Sequence, residues 1–145
     1  MSSRVGILLC GLAVACPVLS SQTLTVRVLN AKSGKPFGGR KVTAKWDVEF
    51  RSSEISIGGD GVGRLQVPSN AKEFILITGP RSGREPFRIA YLNCNKQAST
   101  LISVAVVLER GVVPENACGH PTAVARAGEV IFWALPLPSG KPDFQ

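Results

Sequence analysis

The sequence is poor in the residues that carry chemistry. It has one histidine, His120, set between Gly119 and Pro121. Acid–base and nucleophilic catalysis need paired groups held within hydrogen-bond reach, and histidine is the usual base. A lone loop histidine reads as surface structure; a hydrolase pairing His120 with a serine or an aspartate is the minor reading. No metal-ligand cluster, P-loop or dinucleotide fingerprint occurs, so no catalytic residue, metal or cofactor is expected. Charged residues are only 19% of the chain, yet they are lopsided at a formal +7. That balance suits anionic partners. The cations are scattered, however, with no long run and no interleaving with aromatics, so nucleic acid is not an expected partner.

Aromatic residues are also few, at 6%. Trp46 and Trp133 are the candidates for a sugar-stacking platform, and both lie in apolar patterns that suit core packing better. Asp47 and Glu49 would sit about 7 Å apart on one strand face, near the spacing of paired glycosidase carboxylates. Their alternation with Lys45 and Arg51 makes that face a solvated surface instead.

Past the first residues, no apolar run is long enough to span a bilayer. At the start, Arg4 precedes an apolar stretch at 5–15, and small residues follow it. This reads as a secretory signal over residues 1–21. Val18 and Ser20 offer one cleavage point, Ala13 and Ala15 another. The second would leave Cys16 first, in a loose lipobox, and membrane contact is expected only if the chain is lipid-anchored there. The protein is therefore expected to be secreted or periplasmic, with a lipid-anchored envelope protein as the alternative. Cys10 and Cys16 fall in the signal region, which leaves Cys94 and Cys118 in the domain. Two cysteines in an exported domain most simply form one disulfide. Closing such a loop contributes about 3.5 kcal/mol in the chain-entropy account.

What the chain has in quantity is punctuation: 15 glycines and 10 prolines. Between them lie short alternating stretches. Residues 24–29 alternate Leu24, Val26 and Val28 with polar neighbours, a half-buried strand. Residues 41–50 give the clearest period of two, with Val42, Ala44, Trp46, Val48 and Phe50 on one face. Shorter strands are expected at 54–57, 64–67, 74–78 and 87–94, and a last one at 129–135. Gly58-Gly59-Asp60-Gly61 reads as a hairpin-like turn into the 64–67 strand, closed by Pro68. The 74–78 run, FILIT, is continuously apolar, as expected of a strand central to a sheet or buried on both faces. Residues 99–110 are ambiguous, and a short helix near 103–110, capped by Ser103 and ended at Gly111, is favoured. The fold expected is all-β: one antiparallel β-sandwich of about seven strands, prealbumin- or Ig-like, over residues 22–137, with a flexible tail at 138–145.

Two motifs carry a resemblance. Gly34, Pro36 and Gly39 follow the first strand, and Asp60, Gly61, Leu65, Val67 and Pro68 lie in the second glycine turn and the strand after it. In this order they resemble carboxypeptidase-regulatory-like domains of the transthyretin type, over roughly residues 23–137. The segments at 103–119 and 125–137 also look like a group of small secreted bacterial proteins without an assigned activity. The resemblance implies a short helical element at 103–110. It concerns turns and core, not a site. Such folds include a purine-catabolic hydrolase, which would need several histidines. Surface-adhesin relatives form Lys–Asn isopeptide bonds; Lys41 or Lys45 could supply the lysine, but the last strand has no Asn.

The function expected is a non-catalytic exported module that binds or assembles at the cell envelope. The partner would be an unknown envelope protein or polysaccharide, with a carbohydrate-binding module as the alternative. The basic loops at 30–39 and 79–86 form the expected contact surface, with Lys35, Arg40, Arg81 and Arg84 as its residues.

Overall fold

The structure, a computed structural model, describes residues 21–48, 51–78 and 91–137. Its elements are β1 (Thr23–Asn30), β2 (Lys41–Trp46), β3 (Ser52–Ser56), β4 (Val62–Gln66), β5 (Glu73–Thr78), β6 (Leu92–Asn93), β7 (Ile102–Ser103), α1 (Val104–Arg110) and β8 (Glu129–Leu135). They make two four-stranded sheets, β4-β1-β8-β6 and β3-β2-β5-β7. The proposed signal segment, Arg81, Arg84 and the tail at 138–145 lie outside the described residues.

The alternating stretches became strands because each buries one face in a shared core. Leu24, Val26 and Val28 of β1, Val42, Ala44 and Trp46 of β2, and Phe74 and Leu76 of β5 all point into it. Val130, Phe132 and Ala134 of β8 complete its floor.

Three expectations need correction. Among the described residues there are eight strands, where about seven were expected. The added one, β7, pairs only Ser103 with Glu73 and Ile102 with Phe74, too short to leave a periodic signal. The sandwich is also not wholly antiparallel: β1 and β8 pair in parallel from Thr25–Glu129 to Asn30–Ala134. The last strand reaches that position by a long crossing segment, which strand pattern alone does not reveal. Finally, the strand at 41–50 stops at Trp46. The chain turns back there, with Trp46 N–H donating to Arg51 O and Arg51 N–H to Val48 O. The exposed Asp47 carboxylate accepts from Lys72 N–H at 3.2 Å; Glu49 is outside the described residues.

The two glycine motifs share one cause. Both carry the chain across from one sheet to the other, and they cross in contact. The first leaves β1 by a tight turn, where Asn30 Oδ1 accepts from the N–H groups of Lys32 and Ser33 at 2.9 and 3.0 Å. The second leaves β3 and enters β4, with Gly58 N–H bonded to Val62 O and Val62 N–H to Asp60 Oδ1. Because β3 and β4 belong to different sheets, this is a corner and not a hairpin. Gly39 N–H bonds Ile57 O, and Ile57 N–H bonds Arg40 O. A Cβ on Gly38 would collide with the Gly58 carbonyl, and Gly61, at φ +78°, would bring one to 2.7 Å from Val28 O. Backbones that approach so closely leave room only for glycine.

The short helix is present at Val104–Arg110. Ser103 caps it by accepting from Val106 N–H, and Gly111 ends it at φ 76° with its N–H on Val107 O. Val104 and Val107 turn into the core.

Beyond α1 the chain runs as an extended strap, 111–128, across the outer face of the first sheet. Underneath it lies a second, smaller core of Leu29, Ala31, Cys94, Ile131 and Trp133, against which Cys118, Ala123 and Ala125 pack. This is why β8 reads as an unbroken apolar run: Val130 to Ala134 are all buried, with Val130, Phe132 and Ala134 facing the shared core and Ile131 and Trp133 the second. The strap is pinned at its far end by Arg27. Its guanidinium donates to both Glu129 carboxylate oxygens at 2.8 and 3.1 Å and to Val124 O at 2.7 Å.

Candidate functional site

Cys94 and Cys118 form a disulfide, with Cα atoms 5.4 Å apart. Cys94 is buried directly after β6, and Cys118 is half-buried in the strap. The bond does more than close a loop. The turn that follows Cys94 and the strap that precedes Cys118 lie side by side, joined by Lys96 N–H to Glu115 O at 2.8 Å and Ala117 N–H to Cys94 O at 2.8 Å. The Lys96 ammonium also pairs with the Glu115 carboxylate at 2.8 Å. Asparagines finish the joint. Asn95 Oδ1 accepts from Trp133 N–H, and Asn116 Nδ2 donates to Ala31 O.

Beside this joint, where the 95–101 turn, α1 and the strap meet, a half-open groove of about 460 Å³ is found. Its apolar walls include Leu76, Ile102, Val106, Val112 and Pro114. Its charged members are Lys96, Glu115 and Arg110. Leu101 at the groove is 51% exposed. Volumes of about 300–1,000 Å³ with mostly apolar walls and few polar groups are typical of small-molecule sites. A second hollow of about 490 Å³ lies between Asp47, Lys72 and the start of α1. Two of its polar groups are engaged, Asp47 by Lys72 N–H and Ser103 by Val106 N–H.

The residues singled out from sequence fall elsewhere. Lys35 and Arg40 are exposed on the first crossing corner, and neither lines the groove. Half-buried Phe37 lies between them in sequence and packs edge-on to Tyr91, ring centres 4.9 Å apart. The Tyr91 hydroxyl is buried without a hydrogen-bond partner among the described residues. Burial pushes its pKa above the ordinary 10.0, and Arg40 close by offsets part of that rise.

Both tryptophans are core. Trp46 is 6% exposed and donates its indole N–H to Ser53 Oγ; Trp133 is 1% exposed and donates to Pro114 O. Neither offers a face to a sugar ring. His120 is exposed in the strap, with no hydrogen bond or ion pair among the described residues. No group of three metal-ligating side chains occurs among the described residues, and no helix there is long and apolar enough to cross a membrane.

Sequence reasoning passed over Lys96, Arg110 and the groove between them. The contributing segments are separated in sequence, and the disulfide, the bonds between the 95–101 turn and the strap, and the parallel return of β8 bring them together. The single available signal was the pair of cysteines itself. Comparison of the chain with protein-family models, with curated proteins and with solved structures finds no match.

Proposed function

We propose that this chain is an exported, non-catalytic module that binds or assembles at the cell envelope, built on a carboxypeptidase-regulatory-like sandwich. The observation that carries the reading is the disulfide-clamped groove: a mostly apolar, ligand-sized recess whose walls are held by a bond that persists in oxidising compartments. The signal-like start of the sequence agrees with that compartment. The family reading is supported by the two glycine motifs, which sit at paired corners between the sheets. The exposed corner bearing Lys35 and Arg40 is the surface offered to an anionic envelope protein or polysaccharide, and Arg81 and Arg84 of the basic segment at 79–86 are proposed to join it. A carbohydrate module resting on Trp46 or Trp133 loses support from the burial of both rings.

The test is cross-linking in the native cells followed by identification of what co-purifies. A recurrent envelope partner whose recovery falls on alanine substitution of Lys35, Arg40, Arg81 and Arg84 fits the proposal. Recovery unchanged by those four substitutions removes the corner as the contact surface.

A further inference from the structure

Resting on the binding-module reading, we propose that the groove takes a soluble single-chain carboxylate, its aliphatic tail along Ile102, Val106 and Pro114 and its head on Arg110. The shape favours a single chain, since the recess of about 460 Å³ is half-open and apolar-walled, within the range of small-molecule sites. The charge favours a monoanion. Of the three charged lining residues, Lys96 and Glu115 neutralise one another at 2.8 Å. Arg110, exposed at the end of α1, is left with no ion pair among the described residues. Its sequence neighbour Glu109 is exposed and does not line the groove, as adjacent helical positions do not face one another. A guanidinium at the margin of an apolar recess meets a carboxylate in a forked, two-bond geometry that a neutral or cationic head cannot supply. The proposal also makes the site conditional on the disulfide. The two walls carrying Lys96 and Pro114 are joined by the Cys94–Cys118 bond and the Lys96 N–H to Glu115 O contact, so reduction should loosen the recess.

Calorimetric titration with octanoate and with octan-1-ol tests this on the mature domain. Saturable octanoate binding is expected, with octanol weaker by about tenfold, the size of one charge-assisted contact. Arg110→Gln should bring octanoate down to the octanol level and leave octanol unchanged. Val106→Trp, which fills the recess, should abolish both, and reduction should weaken both. Thermal melts establish that each variant is folded. Equal binding of the acid and the alcohol, or octanoate binding unmoved by Arg110→Gln, overturns the ligand class. If octanoate is silent but Val106→Trp still abolishes capture of a native partner by cross-linking, the ligand class is wrong and the module reading survives. If octanoate is silent and neither Val106→Trp nor the corner substitutions change what is captured, the module reading falls too.

Discussion

The two sheets of this sandwich share a core but differ on their outer faces. The β4-β1-β8-β6 sheet carries a second core outside it, with Leu29, Ile131 and Trp133 roofed by the strap. The outer face of the β3-β2-β5-β7 sheet is mostly polar: Lys41, Lys45, Ser52, Glu54 and Ser56 are exposed, and Ile75 and Ile77 only half-buried. Both sheets contain an apolar run, β8 and β5, yet only in β8 is every residue from Val130 to Ala134 buried. A run of apolar residues therefore records what could be covered, and the covering layer must come from elsewhere in the chain. Here it comes from an irregular strap held at one end by Arg27 and at the other by the disulfide. The strap also forms one wall of the groove, opposite Leu76 of β5 and Ile102 of β7.

The largest effect that would sharpen this contrast is expected from Trp133→Ala. It should cost about 4 kcal/mol in urea denaturation, as large aromatic truncations in cores do, because it empties the second core and leaves Pro114 O without its donor. A cost near that of an exposed residue would mean the strap is not a structural layer. Next comes removal of the Cys94–Cys118 bond by paired alanine substitution, expected to lower stability by about 3.5 kcal/mol. Intact mass should also rise by two hydrogens on reduction of the wild type. Native labelling of both thiols would contradict the bond.

A matched pair then compares the outer faces directly. Ile131→Ala, fully buried under the strap, should cost about 3 kcal/mol. Ile75→Ala, half-buried on the other sheet, should cost about 1 kcal/mol. Equal costs would erase the difference between the two faces.

The smallest effect concerns the shared core. Tyr91 has its hydroxyl buried without a partner among the described residues, so Tyr91→Phe should be neutral or stabilising by up to about 1 kcal/mol at pH 7. The pH dependence has a definite sign. The folded protein holds the phenol proton more tightly than the unfolded chain, whose ordinary value is 10.0. Stability is therefore complete below pH 10 and declines as pH rises from there through the higher folded value. Tyr91→Phe should flatten that alkaline decline; a decline of the same steepness in the variant would assign it to other groups.

Much of the architecture was legible in the sequence because it rests on local rules. Period-two alternation in β1 and β2 follows from one buried face, and the cap and stop of α1 follow from Ser103 and Gly111. The glycine motifs marked turns for the same reason. Local pattern was blind to connectivity between distant segments. It took the Gly58–Gly61 turn for a hairpin, because a glycine turn looks alike whether the next strand pairs with its predecessor or crosses to another sheet. It let β2 run on to Phe50, because alternation persists past the hydrogen bonds that turn the chain at Trp46. It had no means to see β7, whose two residues gain their strand character only from the neighbouring β5.

The sequence by itself determined the β-rich class, the strand faces, the helix cap and the cysteine pair available for oxidation, since each depends on neighbours a few residues away. Tertiary structure alone decided the parallel seating of β8 beside β1, the second core and the groove with Arg110 at its margin. Those features depend on where a long strap crosses the sheet, and nothing in a short window of residues encodes the contact it will find on the other side.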